Sequence, residues 1–373
     1  MPFAHAVREL AAFTHVHVHA STARRTTEAA GATLVALQTQ DAAHILATAP
    51  AGPPAAAAAM VVSVDGAMVP LLHGQWGEVR TLAVGTPVEG TDAKGAPIVT
   101  TTQVSYFSRL TSSATFADLA TVELHQRGVF AAPQVAGIVD GAEWCQTFLD
   151  LHLPTAVRIL DFPHAAEYVC ALGATAGPDG RLVAVADVDR MLHSLKHAGP
   201  TLVLEDLRPV VAAASDPAAA EKLLAYLEKR TDQLAYPAFQ AAGWPIGSGM
   251  VESANKVVVE QRLKGAGMHW ASAHVNPMLA FRNAVANDRW VAQWTAIEQE
   301  QRHQARAARA KRCHPAVEPR LPTVVPSAES GSARRLPAEV LAQVQAELAQ
   351  EKAVHPWKRA FSVRRQCERA DTA

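Results

Sequence analysis

Met60-Val-Val-Ser-Val-Asp-Gly66 begins with an apolar run that contains no charge, and this run predicts a strand buried on both faces. A second run of this kind, Val135-Ala-Gly-Ile-Val139, is also followed by Asp-Gly, at Asp140. Between them, residues 76–88 and 100–106 are predicted as two more strands. The short spacings of the first three strands favour an antiparallel meander.

After the meander the pattern changes to alternating helices and strands. Helices are predicted at 116–127, 141–151 and 165–172, and strands at 135–139 and 156–160. Strand–helix–strand units of this size imply parallel pairing with right-handed crossovers. Three antiparallel strands followed by two parallel ones predict an α/β fold with a mixed sheet flanked by helices. This order of elements is the one expected of an RNase H-like core.

The chain also divides by composition. A proline- and alanine-rich linker follows an N-terminal segment of short helices, and residues 183–235 are predicted to be wholly helical. A helix is expected from 277 to about 309, then a proline-rich, partly disordered stretch and a helix at 338–350. The predicted divisions are a small helical segment at 1–47, a linker at 48–58, the first part of the core at 59–175, a helical insertion at 176–245, core helices carrying Glu252 at 246–310, and a basic tail at 311–373.

The overall composition limits the class of protein. The chain has 373 residues and a net charge of −1, but residues 301–373 carry 14 Lys or Arg against 7 Asp or Glu. An acidic body with a basic end suits an enzyme that acts on a polyanion, although a solvated tail explains the charge equally well. No run reaches the ~20 apolar residues of a membrane span. Four cysteines without CxxC spacing and no visible export signal favour the reducing cytoplasm.

Three acidic residues are candidates for chemistry. Asp65 and Asp140 each follow an apolar strand, and Glu252 follows the turn Gly247-Ser-Gly249 at the start of a predicted helix. Carboxylates at strand ends and on a helix are typical ligands for a pair of hard divalent cations. Each also has a plainer interpretation: a hairpin turn for Asp65, a helix cap for Asp140 and a first-turn acid for Glu252.

Asp161-Phe-Pro-His164 follows the predicted 156–160 strand and competes with Asp140 for the second ligand position. We favour Asp140 as the ligand and Asp161 with His164 as accessory residues that orient the site. Asp161 as a plain helix cap is the alternative. His15, His17 and His19 alternate and would align in a strand, but no cysteine or carboxylate accompanies them.

Cationic and aromatic residues follow Glu252. Lys256 is one helical turn beyond Glu252, where it could meet a phosphate or form a surface pair with Glu252. Arg262, Lys264 and Trp270 lie in a segment that also contains two glycines, Gln261-Arg-Leu-Lys-Gly-Ala-Gly-Met-His-Trp270. Such a mix can hold a phosphate backbone and stack on an exposed base, and a helix C-terminus capped by glycine is the alternative.

These segments resemble the bacterial insertion-sequence transposases of the Mutator-like group, in particular the ISKra type, over roughly residues 60–295. The string Pro245-Ile-Gly-Ser-Gly-Met-Val-Glu-Ser-Ala-Asn-Lys256 is fairly specific. Other matching segments are Val64-Asp-Gly-Ala-Met-Val-Pro70, Trp76-Gly-Glu-Val-Arg80, Tyr106-Phe-Ser-Arg109, Asp140-Gly-Ala-Glu-Trp144, Ile159-Leu-Asp-Phe-Pro-His164, Gly267-Met-His-Trp270 and Asn287-Asp-Arg-Trp290.

The resemblance implies a DDE transposase with Asp65, Asp140 and Glu252 as the catalytic triad and metal ligands. It implies Mg²⁺, with Mn²⁺ as a substitute, for strand cleavage and 3′-end strand transfer. The partners it implies are DNA, as element terminal repeats and target, and further copies of the chain in a synaptic complex near the nucleoid. Residues 1–47 are short for the DNA-binding region of such relatives. The alternatives are an inactive or truncated transposase-derived DNA-binding protein and a non-transposing RNase H-like nuclease.

Overall fold

Five strands form one mixed sheet in this computed structural model, which describes residues 2–91, 95–175 and 183–313. The spatial order is β3-β2-β1-β4-β5, in which β1, β2 and β3 pair antiparallel and β4 and β5 extend the sheet in parallel from β1. This confirms the predicted mixed sheet. The strands are β1 Ala59–Pro70, β2 Trp76–Thr91, β3 Pro97–Leu110, β4 Gln134–Val139 and β5 Val157–Leu160.

The central strand β1 is longer than the sequence predicts. It does not end at Asp65 but continues to Pro70, with Asp65 opposite Thr81 of β2. The predicted position of Asp65 at a strand end, and the alternative hairpin turn there, are therefore wrong. On its other side β1 pairs with β4 only over residues 59–62. Asp65 therefore lies in the part of β1 that no longer pairs with β4. Among the described residues, β1 pairs there with β2 alone.

Helices cover the sheet and build the insertion. The predicted helices of the core and of the 183–235 block are present with shifted ends. In chain order they are α1 Phe3–Thr14, α2 Ala20–Thr48, α3 Ser113–Gln126, α4 Glu143–His152, α5 Phe162–Gly173, α6 Val185–His197, α7 Pro200–Ala212, α8 Pro217–Glu228, α9 Tyr236–Ala241, α10 Gly249–Ala254, α11 Gln261–Leu263, α12 Ser272–Ala286 and α13 Trp290–Cys313. Between α10 and α11 the chain forms a π-helical turn, Asn255–Glu260.

The single helix predicted for 277–309 is wrong, because the chain breaks between α12 and α13. The Asn287 side chain accepts from the Tyr106 N–H and donates to the Tyr106 carbonyl, both over 2.8 Å. Asp288 adopts a left-handed conformation with φ 54°. The tertiary hydrogen bonds to β3 thus end α12 where the local sequence would continue it.

The N-terminal segment also differs from the prediction of short helices. Helix α2 has 29 residues, and its buried Ala30 and Leu34 pack with residues of α12 in one apolar cluster. The His15–His19 stretch is not a strand, since it connects α1 to α2 and the His19 ring accepts from the Ser21 N–H at the start of α2. Whether 1–47 binds DNA stays a prediction.

Apolar side chains fill both faces of the sheet. One cluster joins the sheet to α3 and α4 through residues such as Phe116 and Phe148. Another joins it to α5 and the helical insertion through residues such as Leu172 and Leu207. The insertion is therefore part of the core. Within the described ranges no helix is both long and apolar enough to cross a membrane. The predicted tail, apart from the end of α13, lies outside the described residues.

Candidate active site

Asp65 is held by hydrogen bonds from two directions. The Gly66 N–H donates to Asp65 Oδ1 over 2.6 Å, and the Asn255 side-chain amide donates to Asp65 Oδ2 over 2.8 Å. The side chain is half-buried. Strand β1 and the π-helical turn thus fix the carboxylate between them.

The charge of Asp65 is disfavoured in this environment. Its pKa is raised from 3.8 to about 7, first because of burial and then because of repulsion from Asp140 and, more weakly, from Glu252. The hydrogen bonds from Gly66 and Asn255 lower the pKa and offset part of the rise. The three acids singled out in the sequence therefore lie near enough for their charges to interact.

Asp140 directly follows β4. Its Oδ1 accepts from the Ala142 N–H over 2.9 Å, and its main-chain carbonyl accepts from the Tyr226 hydroxyl over 2.7 Å. Gly141 has φ 76°, a conformation that favours glycine. The side chain of Asp140 therefore closes a tight turn from Asp140 to Ala142, and helix α4 begins after this turn, at Glu143.

Glu252 lies in the first turn of α10 and is exposed. Val251 and Ala254 of this helix and Val258 of the π-helical turn are all buried. The turn before the helix is anchored by Asp161, whose Oδ1 accepts from the Ser248 N–H over 2.6 Å. The Phe162 N–H also donates to the Ile246 carbonyl over 2.9 Å. The end of β5 thereby sets where α10 starts.

Asp161 and His164 lie next to the turn before α10, and both make contacts that hold the structure together. The second oxygen of Asp161 accepts from the His164 N–H and caps α5, and burial raises the pKa of Asp161. The His164 ring contacts Tyr168 and Tyr226 edge-on, with centroids 5.3 and 6.1 Å away. Asp161 thus joins the start of α5 to the turn before Glu252. An accessory catalytic role for either residue stays a prediction.

The donor types suit a hard cation, but the side chains do not form a closed set of ligands. Carboxylate oxygens are the ligands that Mg²⁺ prefers, and burial together with the charges of Asp140 and Glu252 raises the pKa of Asp65. Among the described residues, however, no group of three or more His, Cys, Asp or Glu side chains is arranged to hold a metal ion.

Three residues near Asp65 gave no clear functional signal in the sequence. Asn255 lies three residues after Glu252, and its side-chain amide donates to Asp65. Glu78 lies against Gly66 and pairs with Arg80 over 2.7 Å. The Arg80 guanidinium lies 5.3 Å from the centre of the Trp144 ring. The segment 76–80 belongs to the stretches that resemble transposases, which is the signal that could have found Glu78 and Arg80.

The predicted DNA-contacting residues lie on the π-helical turn, α11 and the segment after it. Lys256 is exposed, whereas Lys264 pairs with Glu260 over 2.7 Å. The Arg262 guanidinium lies 4.9 Å from the centre of the Trp270 ring, and the Trp270 indole N–H donates to the Leu263 carbonyl. Trp270 therefore has a structural role here, and DNA contact by these residues stays a prediction.

Comparisons with known proteins do not show a family for this chain. No family model matches this sequence, and no curated protein matches it. Among solved structures, the Drosophila P element transposase strand transfer complex is similar over 63% of this chain and 65% of that chain, with 12% sequence identity and a TM-score of 0.21. The match thus spans slightly less than two thirds of that chain, and at this TM-score the two folds are not shown to be the same.

Proposed function

We propose that this chain is a DNA transposase with an RNase H-like core, of the Mutator-like ISKra type that its motifs resemble. The observation that carries the proposal is the placement of Asp65, which accepts from the Asn255 amide three residues after Glu252 and whose pKa is raised by burial and by the charges of Asp140 and Glu252. The strand order β3-β2-β1-β4-β5, with three antiparallel and two parallel strands, supports the core assignment. Charge-coupled carboxylates with a strongly raised pKa are more frequent at functional sites than elsewhere.

In this proposal Asp65, Asp140 and Glu252 would hold two divalent cations, Mg²⁺ or Mn²⁺. When bound, such cations activate water or a DNA 3′-hydroxyl for in-line attack and stabilise the leaving 3′-oxygen. Asn255 and the Gly66 N–H orient the two oxygens of Asp65. With a pKa of about 7, Asp65 is partly protonated near neutral pH. It must lose this proton before it can bind a cation with its full charge.

The substrate in this proposal is DNA, both as element ends and as target, and the working unit is a homo-oligomer. Lys256 is an exposed cation one turn beyond Glu252, and it is suited to contact a phosphate next to the reacting one. Arg262, Lys264 and Trp270 would extend this contact along the strand. Phosphate contacts of this kind make binding weaker as salt concentration rises.

The test is strand cleavage and joining by the purified protein on linear DNA that carries the sequences flanking its gene, with Mg²⁺ or Mn²⁺. We expect Asp140→Asn to abolish both steps, because it removes the negative charge that would hold a cation. The loop should stay intact, because the amide oxygen can still accept from the Ala142 N–H. Glu143→Gln, an exposed carboxylate at the start of α4, is the matched control and should keep wild-type activity. Wild-type cleavage by Asp140→Asn would remove Asp140 from the mechanism.

A second candidate function is a DNA-binding protein without catalysis. It is favoured by the absence of a group of three metal-ligating side chains in the described part of the chain. This candidate predicts DNA binding without divalent cations and no cleavage under any condition tested. A nuclease on the same fold predicts cuts that leave 5′-phosphates and no joined products. The same assay separates all three functions.

A further inference from the structure

Helix α8 of the insertion contacts the loop that carries Asp140. The Tyr226 hydroxyl donates to the Asp140 carbonyl over 2.7 Å, and the Arg230 guanidinium donates to the Gly141 carbonyl over 2.8 Å. Arg230, which lies two residues beyond the end of α8, also donates to the Tyr226 carbonyl over 3.0 Å. Two successive main-chain carbonyls are therefore bonded to side chains more than 80 residues away in sequence.

Tyr226 is itself held rigidly. Its ring stacks on Tyr168 with centroids 3.9 Å apart and planes within 5°, and the Arg230 guanidinium lies 3.8 Å from the ring centre. The His164 ring meets it edge-on. Burial raises the pKa of the Tyr226 hydroxyl, so that it stays a neutral donor at physiological pH. Stacking of this kind limits the rotamers that the ring can adopt.

Gly141 shows how closely these side chains enclose the loop. A Cβ atom at this position would collide with the Tyr226 hydroxyl and would lie 2.8 Å from Leu160 Cδ1 and 2.9 Å from Arg230 Nε. The backbone has φ 76°, a conformation that favours glycine. The surrounding side chains therefore leave no room for a side chain at residue 141.

We propose that Tyr226 and Arg230 are positioning residues for Asp140, so that the helical insertion sets the geometry of the active site. This inference rests on the proposed function. The two hydrogen bonds fix the main chain at residues 140 and 141, and the turn from Asp140 Oδ1 to the Ala142 N–H fixes the carboxylate relative to that main chain. A displacement of α8 would be transmitted to the carboxylate, and misplacement of a reacting group by about 1 Å can reduce a rate about 100-fold.

The experiment compares Tyr226→Phe, Arg230→Gln and Arg230→Lys with wild type. Three quantities are measured: the rate constant of DNA cleavage, the Mg²⁺ concentration at half-maximal rate, and Mn²⁺ binding to the protein by titration calorimetry without DNA. The matched control is Arg208→Gln, which removes an ion pair of 3.1 Å between α7 and α8 that does not touch the loop. Melting temperatures report on the fold of each variant.

We expect Tyr226→Phe to lower the cleavage rate about tenfold, to raise the Mg²⁺ concentration at half-maximal rate and to weaken Mn²⁺ binding. Arg230→Gln should lower the rate more, and Arg230→Lys should restore part of it, because lysine can still donate to the Gly141 carbonyl. Arg208→Gln should behave as wild type. If Arg230→Gln does not fold, Tyr226→Phe, which removes a single oxygen atom, still decides the question.

Two failures can be told apart. If wild type cleaves DNA and binds Mn²⁺, and if both Tyr226→Phe and Arg230→Gln stay within twofold of it in every quantity, the positioning role is overturned and the proposed function stands. If wild type neither cleaves DNA nor binds Mn²⁺, the proposed function itself is overturned, and Asp140 has no ligand to be positioned for.

Discussion

The side-chain amide of Asn255 donates a hydrogen bond of 2.8 Å to Asp65, although the two residues are 190 positions apart. Asn255 is 7% exposed, and its own carbonyl oxygen has no hydrogen-bond partner. It is also the first residue of the π-helical turn, a feature that is frequent at functional sites. This one bond ties the central strand to the helix that carries Glu252.

Replacing Asn255 by aspartate should destabilise the fold in a pH-dependent way. Aspartate would place a second carboxylate against Asp65 in a buried site, so we expect a loss of about 2 kcal/mol in the free energy of unfolding at pH 8 and a smaller loss at pH 5, where both groups bind protons. Urea unfolding at the two pH values measures this difference. The control is Ser253→Asp, which adds the same charge at an exposed position of the same segment. An equal loss at both pH values would contradict the interpretation.

Asp65→Asn should stabilise the protein at neutral pH while abolishing cleavage. Because the pKa of Asp65 in the folded state, about 7, lies above its unfolded value of 3.8, the stability from the bound proton is full below about pH 4 and is lost as pH rises through 7. Asparagine is neutral throughout, and rotation of the Asn255 amide would let its unpartnered oxygen accept from the new side chain.

We therefore expect Asp65→Asn to raise the free energy of unfolding by about 1–2 kcal/mol at pH 8, with the gain shrinking toward pH 4.5. Thermal unfolding across this pH range measures the effect. Asp118→Asn, at an exposed position, should show no such trend. If Asp65→Asn were less stable than wild type at pH 8, the charge on Asp65 would not destabilise the folded protein, and the prediction would be refuted.

Gly141→Ala should destabilise the protein more than an equivalent change elsewhere. Gly141 and Gly243 have similar φ angles of 76° and 79°, but a Cβ atom at Gly243 would have nothing within 4 Å. Gly243→Ala therefore reports the backbone strain alone, about 1 kcal/mol. Gly141→Ala adds collisions with Tyr226, Leu160 and Arg230, and we expect a total of about 3 kcal/mol. Equal effects in denaturant unfolding would mean that the loop can move away from α8.

Asp161→Ala tests the link between β5 and the turn before α10. Asp161 caps α5 and also accepts from the Ser248 N–H, whereas Asp216 caps α8 through the Ala219 N–H and is exposed. Loss of a cap alone costs about 1 kcal/mol, which is the effect expected for Asp216→Ala. Asp161→Ala should cost about 2–3 kcal/mol, because the buried Ser248 N–H also loses its acceptor. Proteolysis near residue 248 should rise only in the Asp161 variant.

Much of the sheet was predictable because its signals are local. The apolar runs at 60–64 and 135–139 indicate buried strands, and the change from short spacings to helix–strand alternation indicates the change from antiparallel to parallel pairing. Asp65-Gly66 misled the prediction of the strand end, since this dipeptide is a common turn. Cross-strand pairing with Thr81 and Arg80 keeps it extended instead.

Features that depend on distant contacts could not be read from the sequence. Asn287 ends α12 through bonds to Tyr106, 181 residues away. Tyr226 and Arg230 lie in a segment whose pattern indicates only an amphipathic helix, and nothing local marks the bonds to residues 140 and 141. The acids themselves were found because each follows an apolar run or a glycine-containing turn in the sequence, whereas the effect of Asp140 and Glu252 on the pKa of Asp65 emerges only from the folded chain.

The wide separation of Asp65 from Asn255 has a consequence for biosynthesis. At the ~5–20 residues per second of translation, on the order of ten seconds or more passes between the emergence of the first strand and that of the residue that binds its carboxylate. The intervening insertion must be made before the last acid arrives. A nascent or prematurely terminated polypeptide that ends before Glu252 therefore lacks one of the three acids, and the proposed chemistry becomes possible only after most of the described chain has been made.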